Sequence, residues 1–346
     1  SFIVNRYFLS KLIALIAGII LVYVAYNHNK DSVTYNHNKP SLYEINGSAY
    51  GTDWSIKTTE FIGDHHKDNI KSIISEIDYV ASNYKEDSEI SIINSTDKKN
   101  YFVSKDLFNI LSVAKDVENK SKGFYNIMLG KISSNLGFSP TFGKELFHKK
   151  DMTFVLNEKN QSIEKLSTNW FDLSSVAKGY AVQMIHDYLV SENLINHLID
   201  IGGEIIINGN NNNEPWIVGI QNPESILDEA SIIIKNDDNF LAIATSGEYR
   251  NYKPNKSGKI TTHTINPNTL DSIQNNILSV TVIHNESATY ADAYATAFNA
   301  MGAELALKIA NENDIGLMII ILNNSEEQTS NKVDFIYSKK WYDLTI

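Results

Sequence analysis

The sequence contains no cysteine among its 346 residues. This absence excludes disulfide bonds, thiolate metal ligands, a cysteine nucleophile and a lipid-modified cysteine anchor. It does not identify the redox compartment, because a protein without cysteine is stable in either one.

Basic residues are fewer than acidic ones, with 30 Lys and Arg against 41 Asp and Glu and a formal net charge of −11. This balance argues against a nucleic-acid partner, which usually requires a basic surface. An anionic ligand such as a phosphate ester would therefore need a bridging cation or local backbone donors. The hydrophobic fraction of 42% is sufficient for a sizeable core.

Two nucleotide-binding fingerprints are also missing, since neither GxGxxG nor GxxxxGK[ST] occurs, and a Rossmann or P-loop fold is not favoured. Apolar residues recur instead at helical spacing, and strand-like segments lie between them without regular alternation. This mixture predicts an α+β fold of mixed β-sheets flanked by helices. Helices are expected over His66–Ser82, Asp106–Lys120, Val176–Glu192 and Ala291–Asn311.

An uncharged apolar run occupies residues 12–26, and Arg6 and Lys11 precede it. A basic segment followed by an apolar one is typical of a secretory signal, and Tyr7–Tyr26 is long enough to cross a bilayer. We expect a signal anchor over residues 1–28, with a cleaved signal peptide as the alternative, and a flexible linker over residues 29–40. The basic flank predicts that the N-terminal end stays in the cytoplasm and that residues 41–346 lie on the other side of the membrane.

Asp292 and Thr296 lie four residues apart in a predicted helix, so their side chains share one face. A carboxylate and a hydroxyl in this arrangement can ligate a hard cation such as Mg²⁺. Alternatively, Asp292 only interacts with the helix dipole and Thr296 only packs. The spacing leaves both interpretations open.

The segment FDLSSVAKGYAV at 171–182 predicts a strand followed by a helix, with Ser174 and Ser175 at the junction. Backbone N–H groups at such a junction suit a phosphate. Lys178 in the first helical turn opposes the helix dipole, which indicates either an anionic ligand or a neighbouring acid. Asp172 is either a ligand-binding acid or a cap.

Three further features could contribute to a site. Gly202 and Gly203 interrupt a strand-like run and predict either a close approach of backbone to ligand or a tight turn. His263 could accept a proton, although a histidine before a turn can equally be structural. Tyr84 lies in a predicted polar loop over residues 82–94 and can stack on a flat ring.

In this order, these segments resemble the ApbE family, the FAD:protein FMN transferases, over most of residues 48–310. The resemblance is carried by GTDW at 51–54, GFYNIMLG at 123–130, FDLSSVAKGYAV at 171–182, HTINP at 263–267 and ADAYATAFNAMG at 291–302. It implies an ApbE-like domain over residues 41–346.

The resemblance implies that FAD is the substrate, with Mg²⁺ on its pyrophosphate. A Thr or Ser hydroxyl of a target flavoprotein would take FMN, and AMP would be released. The alternatives are an FAD pyrophosphatase that gives FMN and AMP, and a non-catalytic flavin-binding or electron-transfer subunit. The expected partners are FAD, the target flavoprotein domain and the membrane, with no nucleic acid.

The resemblance also implies residue roles. The metal ligands would be the side chains of Asp292 and Thr296 and the main chain near Ser175, and His263 would be the general base. Asn126 departs from the family, which commonly has an acid there, so the metal occupancy or the balance between transfer and hydrolysis could differ. The implied cofactor-binding set is Tyr50, Tyr84, Phe124, Tyr125, Asn126, Asp172, Lys178, Gly202, Gly203, Thr245, Ser246, His263 and Ile265.

Overall fold

The computed structural model describes residues 41–136, 147, 152–221, 230–247, 260–323 and 332–345. The expected signal anchor over 1–28 and linker over 29–40 lie outside these residues. Among the helices that the structure does describe, none combines the length and the apolar character needed to span a bilayer.

The described strands are short and mostly hairpin-connected. They are β1 (Tyr43–Ala49), β2 (Thr52–Thr58), β3 (Asn100–Phe102), β4 (Phe154–Asn157), β5 (Ser162–Lys165), β6 (His197–Ile201), β7 (Glu204–Asn208), β8 (Ile217–Gln221), β9 (Ala230–Lys235), β10 (Leu241–Ser246), β11 (Ile260–Ile265), β12 (Ser272–Asn275), β13 (Ile277–His284), β14 (Gly316–Asn323) and β15 (Lys332–Tyr337).

The described helices follow the predicted apolar periodicity over their longer members. They are α1 (Asp64–Ala81), α2 (Glu89–Ser95), α3 (Lys105–Lys120), α4 (Gly130–Asn135), α5 (Ala177–Ser191), α6 (Ala288–Met301), α7 (Ala303–Glu312) and α8 (Lys339–Thr345).

The main sheet has eight strands in the order β1-β2-β6-β7-β10-β13-β14-β15. Smaller sheets are β3-β5-β4, β8-β9 and β11-β12. Helix α5 packs against α6, and α6 contacts β10 and β13, so these two helices lie over the middle of the main sheet. The apolar face predicted for α3 is confirmed, because Leu107, Ile110, Leu111, Ala114 and Val117 are all buried.

The α+β class is confirmed, but the described sheets are antiparallel rather than mixed. The reason for the antiparallel arrangement lies in Ala291–Asn311, which is predicted as one helix but is divided between α6 and α7. Gly302, at φ +82°, ends α6, and α7 begins directly after it. Because two shorter helices replace one long helix, the chain re-enters the main sheet at the same end at which it left. Ile283 therefore pairs with Gly316 in an antiparallel ladder, whereas one long crossover helix would favour a parallel neighbour.

The predicted polar loop over residues 82–94 is also wrong in part, because α2 begins within it. Ser88 Oγ accepts the backbone N–H of Ser91 at 3.2 Å and so caps the helix. Ile90 and Ile93 are buried in the core. The helix is only two turns long, and its polar residues obscure this short apolar pair in the sequence.

Candidate active site

Helices α5 and α6 approach each other closely at Gly179. The backbone N–H of Gly179 donates a hydrogen bond of 2.9 Å to Oδ2 of Asp292. A Cβ atom at position 179 would lie 2.5 Å from the Ala288 carbonyl oxygen and 2.6 Å from Cβ of Asp292. The absence of a side chain at Gly179 is therefore what brings Asp292 to the first turn of α5.

Three charged residues from three different elements surround this contact. Lys178 lies on α5, Asp292 on α6, and Glu204 at the start of β7. The Lys178 Nζ atom lies 2.8 Å from Glu204 Oε2. The exposed fractions of Asp292 and Glu204 are only 5% and 4%.

The charges within this group of three residues do not cancel when both acids are ionised. Burial, followed by the charge of Glu204, raises the pKa of Asp292 well above its usual range, and Lys178 and the Gly179 N–H oppose this shift. Burial also raises the pKa of Glu204, and Lys178 lowers it. When both acids are ionised, one ammonium faces two carboxylates. Because an uncompensated buried charge is costly, this donor set suits a cation with oxygen ligands.

A cavity of about 220 Å³ lies where the chain enters α5. Thr296, one turn after Asp292 on α6, contributes to its wall, together with Ser175 before α5. Residues between 124 and 133 and between 264 and 267 complete the lining. The predicted residues in its lining are Phe124, Tyr125, Asn126, Asp172, Ser175, Ile265 and Thr296.

Tyr125 fixes the position of Ser175. The Tyr125 Oη and Ser175 Oγ atoms are 3.0 Å apart, and either hydroxyl can donate. Burial raises the pKa of Tyr125, so the phenol stays neutral. Neighbouring Asn126 is held more tightly, because its Nδ2 donates to Glu118 Oε1 at 2.9 Å and to the Met152 carbonyl at 3.0 Å.

Asp172 uses both carboxylate oxygens within the protein. Oδ1 accepts from Asn83 Nδ2 at 2.8 Å and from the Ser174 backbone N–H at 2.9 Å. Oδ2 accepts from Ser133 Oγ at 2.8 Å. Asp172 therefore closes a turn with Ser174 rather than capping a helix, because α5 begins after Val176 without a side-chain cap. It also links Asn83 to Ser133.

A second cavity, of about 660 Å³, adjoins the first at Ser174, which lines both. Tyr50, Tyr84 and Lys178 lie in its wall. The Tyr50 Oη donates to the Ile74 carbonyl at 2.6 Å, while Tyr84 is 70% exposed. These members of the predicted set thus lie around two adjoining cavities at the start of α5.

Gly202 and Gly203 form the two-residue turn between β6 and β7, with φ values of +58° and +94°. The Gly203 N–H donates to Asp200 Oδ1 at 2.8 Å. Neither glycine belongs to the described lining of the two cavities. The structure therefore places them in the tight turn that the sequence allowed, and this turn positions Glu204.

The remaining predicted residues lie on β10 and β11. Thr245 Oγ1 is 3.3 Å from Thr281 Oγ1. Ser246 Oγ accepts from Asn299 Nδ2 at 3.2 Å, and Asn299 Nδ2 also donates to Thr264 Oγ1 at 3.3 Å. His263 precedes Thr264 on β11, and its side chain lies outside the described part of the protein.

The sequence profile of the ApbE family matches residues 50–321. The chain belongs to the ApbE family. An FAD:protein FMN transferase of Vibrio cholerae is 30% identical over 295 residues, which cover 80% of this chain and 86% of that protein. A protein of the same name from Haemophilus influenzae is 27% identical over 329 residues, covering 89% of this chain and 93% of that protein.

A solved structure supports the same assignment. A mutant of the flavin transferase ApbE from Vibrio cholerae superimposes with a TM-score of 0.76 at 25% identity. The match covers 88% of this chain and 99% of that one. The α+β arrangement of this ApbE-family protein is therefore shared with a known flavin transferase.

Three residues of this ApbE-family site are not in the predicted set: Gly179, Glu204 and Asn299. Gly179 could have been found from the sequence, because a glycine inside an apolar helix often has a packing or functional role. Glu204 begins the strand EIIIN directly after the paired glycines, and a charged residue next to such an apolar run indicates burial with a partner. The sequence offers no comparable signal for Asn299, whose partners lie on distant strands.

Elsewhere in the described residues, His65, His66 and Glu192 also come close enough together to suggest a metal site. However, His66 Nδ1 accepts the Gly63 N–H at 3.0 Å and caps α1. In its neutral form this ring carries its proton on Nε2, 3.4 Å from Glu192 Oε2. Metal binding at Nε2 would require the other tautomer and would break the cap, so this cluster suits a capping histidine better.

Proposed function

We propose that this chain is a Mg²⁺-dependent FAD:protein FMN transferase that modifies a Thr or Ser hydroxyl of a target flavoprotein. Membership of the ApbE family supports the reaction class. The observation that carries the proposal is the position of Asp292. It is a buried acid in a group with excess negative charge, one helical turn from Thr296 in the wall of a cavity.

Asp292 and Thr296 would hold the Mg²⁺ ion, together with the main chain near Ser175. When bound there, Mg²⁺ would offset the negative charge of the FAD diphosphate. The chain's overall charge cannot do this, because its formal net charge is −11. The two adjoining cavities supply space on either side of Ser174 for an extended dinucleotide.

The protein residues then act mainly by positioning, as phosphoryl transfer requires. The target hydroxyl oxygen forms a bond to the phosphorus on the FMN side of FAD. The bond from that phosphorus to the AMP oxygen breaks, and AMP leaves with the electron pair. His263 is the proposed acceptor of the hydroxyl proton, and Asn299 holds its neighbour Thr264 to α6.

Incubation with FAD and Mg²⁺, with and without a target domain, tests this function by chromatography of the nucleotides. The proposal predicts AMP release that depends on the target, with no equivalent free FMN. AMP and FMN in equal amounts without a target would instead indicate a pyrophosphatase. Intact FAD in both reactions would support a non-catalytic flavin-binding subunit.

We also propose that the catalytic domain faces the periplasm from a single membrane anchor. The support is the apolar run over 12–26 preceded by Arg6 and Lys11. Fractionation followed by protease treatment of spheroplasts tests this location. The full chain should stay with membranes and be digested from outside, whereas recovery in the cytosol would contradict the proposal.

A further inference from the structure

Lys178 does not have a free ammonium group, although it lies in the wall of the second cavity. Its Nζ is 2.8 Å from Glu204 Oε2, and 30% of its side chain is exposed against 6% for Glu204. Burial lowers the pKa of Lys178, but the charges of Glu204 and then Asp292 outweigh this and raise it. The cation is therefore shared electrostatically by two acids, of which Glu204 is the direct partner.

The backbone of Glu204 is fixed by the main sheet. The turn at Gly202 and Gly203 places it as the first residue of β7, paired with Ile201 of β6. Its side chain is buried, so it cannot leave for solvent without opening the site. Glu204 therefore fixes the position of the Lys178 ammonium next to the start of β7.

Asp292 is the competing partner for the same ammonium. Its Oδ2 accepts the N–H of Gly179, next to Lys178, and its carboxyl group also lies within hydrogen-bonding reach of the Glu204 carboxyl group. A buried lysine that loses its carboxylate partner moves toward the nearest remaining acid, because an unpaired buried charge is costly. An ammonium bound to Asp292 would occupy the lone pairs that a metal ion needs and repel the ion.

We propose that Glu204 is a positioning residue of the metal site: it holds the Lys178 ammonium away from Asp292 and leaves that carboxylate available to a divalent cation. This inference rests on the proposed function only in its assignment of Asp292 to the metal. Glu204 acts through Lys178 and makes no contact with the substrate in this role.

Binding of Mn²⁺ to the full chain without FAD, followed by calorimetry, tests the role directly. The wild-type protein should bind the ion, and Asp292→Asn should not. Glu204→Gln should weaken binding by about 10- to 100-fold, as is typical when the support of a metal ligand is removed. The double variant Lys178→Met, Glu204→Gln should recover most of the wild-type affinity, because the competing ammonium is gone.

The recovery distinguishes positioning from a purely structural role, since a second substitution in a damaged core would not restore binding. If Glu204→Gln does not fold, Lys178→Met alone gives the answer, because it should bind Mn²⁺ at least as tightly as the wild type. Asp314→Asn is the control, since it breaks the remote ion pair with Lys340 at 2.8 Å and should leave binding unchanged.

Two sets of results would contradict the inference. The first concerns only the role of Glu204, and the second also concerns the metal assignment. Unchanged binding in Glu204→Gln, a double variant no tighter than Glu204→Gln, or weaker binding in Lys178→Met would overturn the role of Glu204 alone. Failure of the wild type to bind Mn²⁺, or unchanged binding in Asp292→Asn, would remove the metal assignment of the proposed function as well.

Discussion

The backbone N–H of Gly179 donates to Oδ2 of Asp292 at 2.9 Å, and this bond joins the first turn of α5 to α6. The contact exists because position 179 lacks a side chain. It places a buried carboxylate next to Lys178, which pairs with Glu204, and one helical turn before Thr296 in the cavity wall. The geometry of the candidate metal site therefore depends on one helix-to-helix contact.

Gly179→Ala should disrupt this contact. The new methyl group would lie 2.5 Å from the Ala288 carbonyl and 2.6 Å from Asp292 Cβ, so the helices must separate. Overpacking of this kind costs about 1–3 kcal/mol of unfolding free energy. Urea denaturation measures the loss, and Val190→Ala, at an exposed position on the same helix, should have a much smaller effect. Stability equal to the wild type would show that the two helices are not in fixed contact.

Asn126→Asp should destabilise the protein even though the family commonly has an acid there. Asn126 Nδ2 donates to Glu118 Oε1 and to the Met152 carbonyl, and an aspartate would present an acceptor to both. We expect a loss of about 1–3 kcal/mol at neutral pH, which shrinks at lower pH as a proton is shared with Glu118. Denaturation at two pH values tests this, with Asn160→Asp at an exposed turn as the control. An equal loss at both pH values would contradict the explanation.

Asn299→Ala should slow transfer by more than it weakens FAD binding. Asn299 is 1% exposed and holds Ser246 of β10 and Thr264 of β11 to α6. Its loss releases the strand that carries His263, and we expect a decrease in rate of about tenfold. Flavin fluorescence measures binding separately from AMP release. Asn276→Ala, at an exposed position that bonds the Leu322 carbonyl at 3.3 Å, should change neither quantity. A fall in FAD affinity that accounts for the whole loss would refute the positional role.

Acid should destabilise the fold through the pair His186 and His197. The Nδ1 of His197 lies 2.7 Å from the Leu194 carbonyl and its Nε2 lies 2.8 Å from His186 Nδ1, so the neutral His197 donates to the carbonyl and accepts from His186. Burial, then the charge of His186, lowers the pKa of His197 from its usual 6.5 to about 3. The unfolded chain therefore binds more protons between these pH values, and the stability present above pH 6.5 declines toward pH 3.

Measurement of the unfolding free energy against pH tests this assignment. The His197→Asn variant should show a shallower decline than the wild type over the same range, because it has one fewer histidine to protonate on unfolding. His186 and His284 remain as acid-sensitive groups, since burial lowers the pKa of both, that of His284 to about 4. An identical slope in the variant would show that His197 does not contribute.

Much of the framework could be predicted because it is local. The apolar spacing in α3 and the paired glycines between β6 and β7 depend only on neighbouring residues, and both predictions match the structure. The break at Gly302 was missed because apolar residues continue through it. Because this break was missed, the strand direction in the sheet was also predicted incorrectly. The turn between α6 and α7 makes β13 and β14 antiparallel.

The site was predictable only where one short segment carries it. Asp292 and Thr296 are one helical turn apart, so their common face follows from the sequence. The partnership of Lys178 with Glu204 joins a helix to a strand 26 positions later, and only the fold brings them together. The sequence indicated that Lys178 needs an anion, but it could not distinguish a ligand from this neighbouring acid.

The most direct test of the central claim is the intact mass of a target flavoprotein domain after incubation with this chain, FAD and Mg²⁺. We predict that the domain gains the mass of one FMN group, and that Asp292→Asn or chelation of the metal abolishes the gain. An unmodified domain with wild-type enzyme, or full modification by Asp292→Asn, would contradict the account.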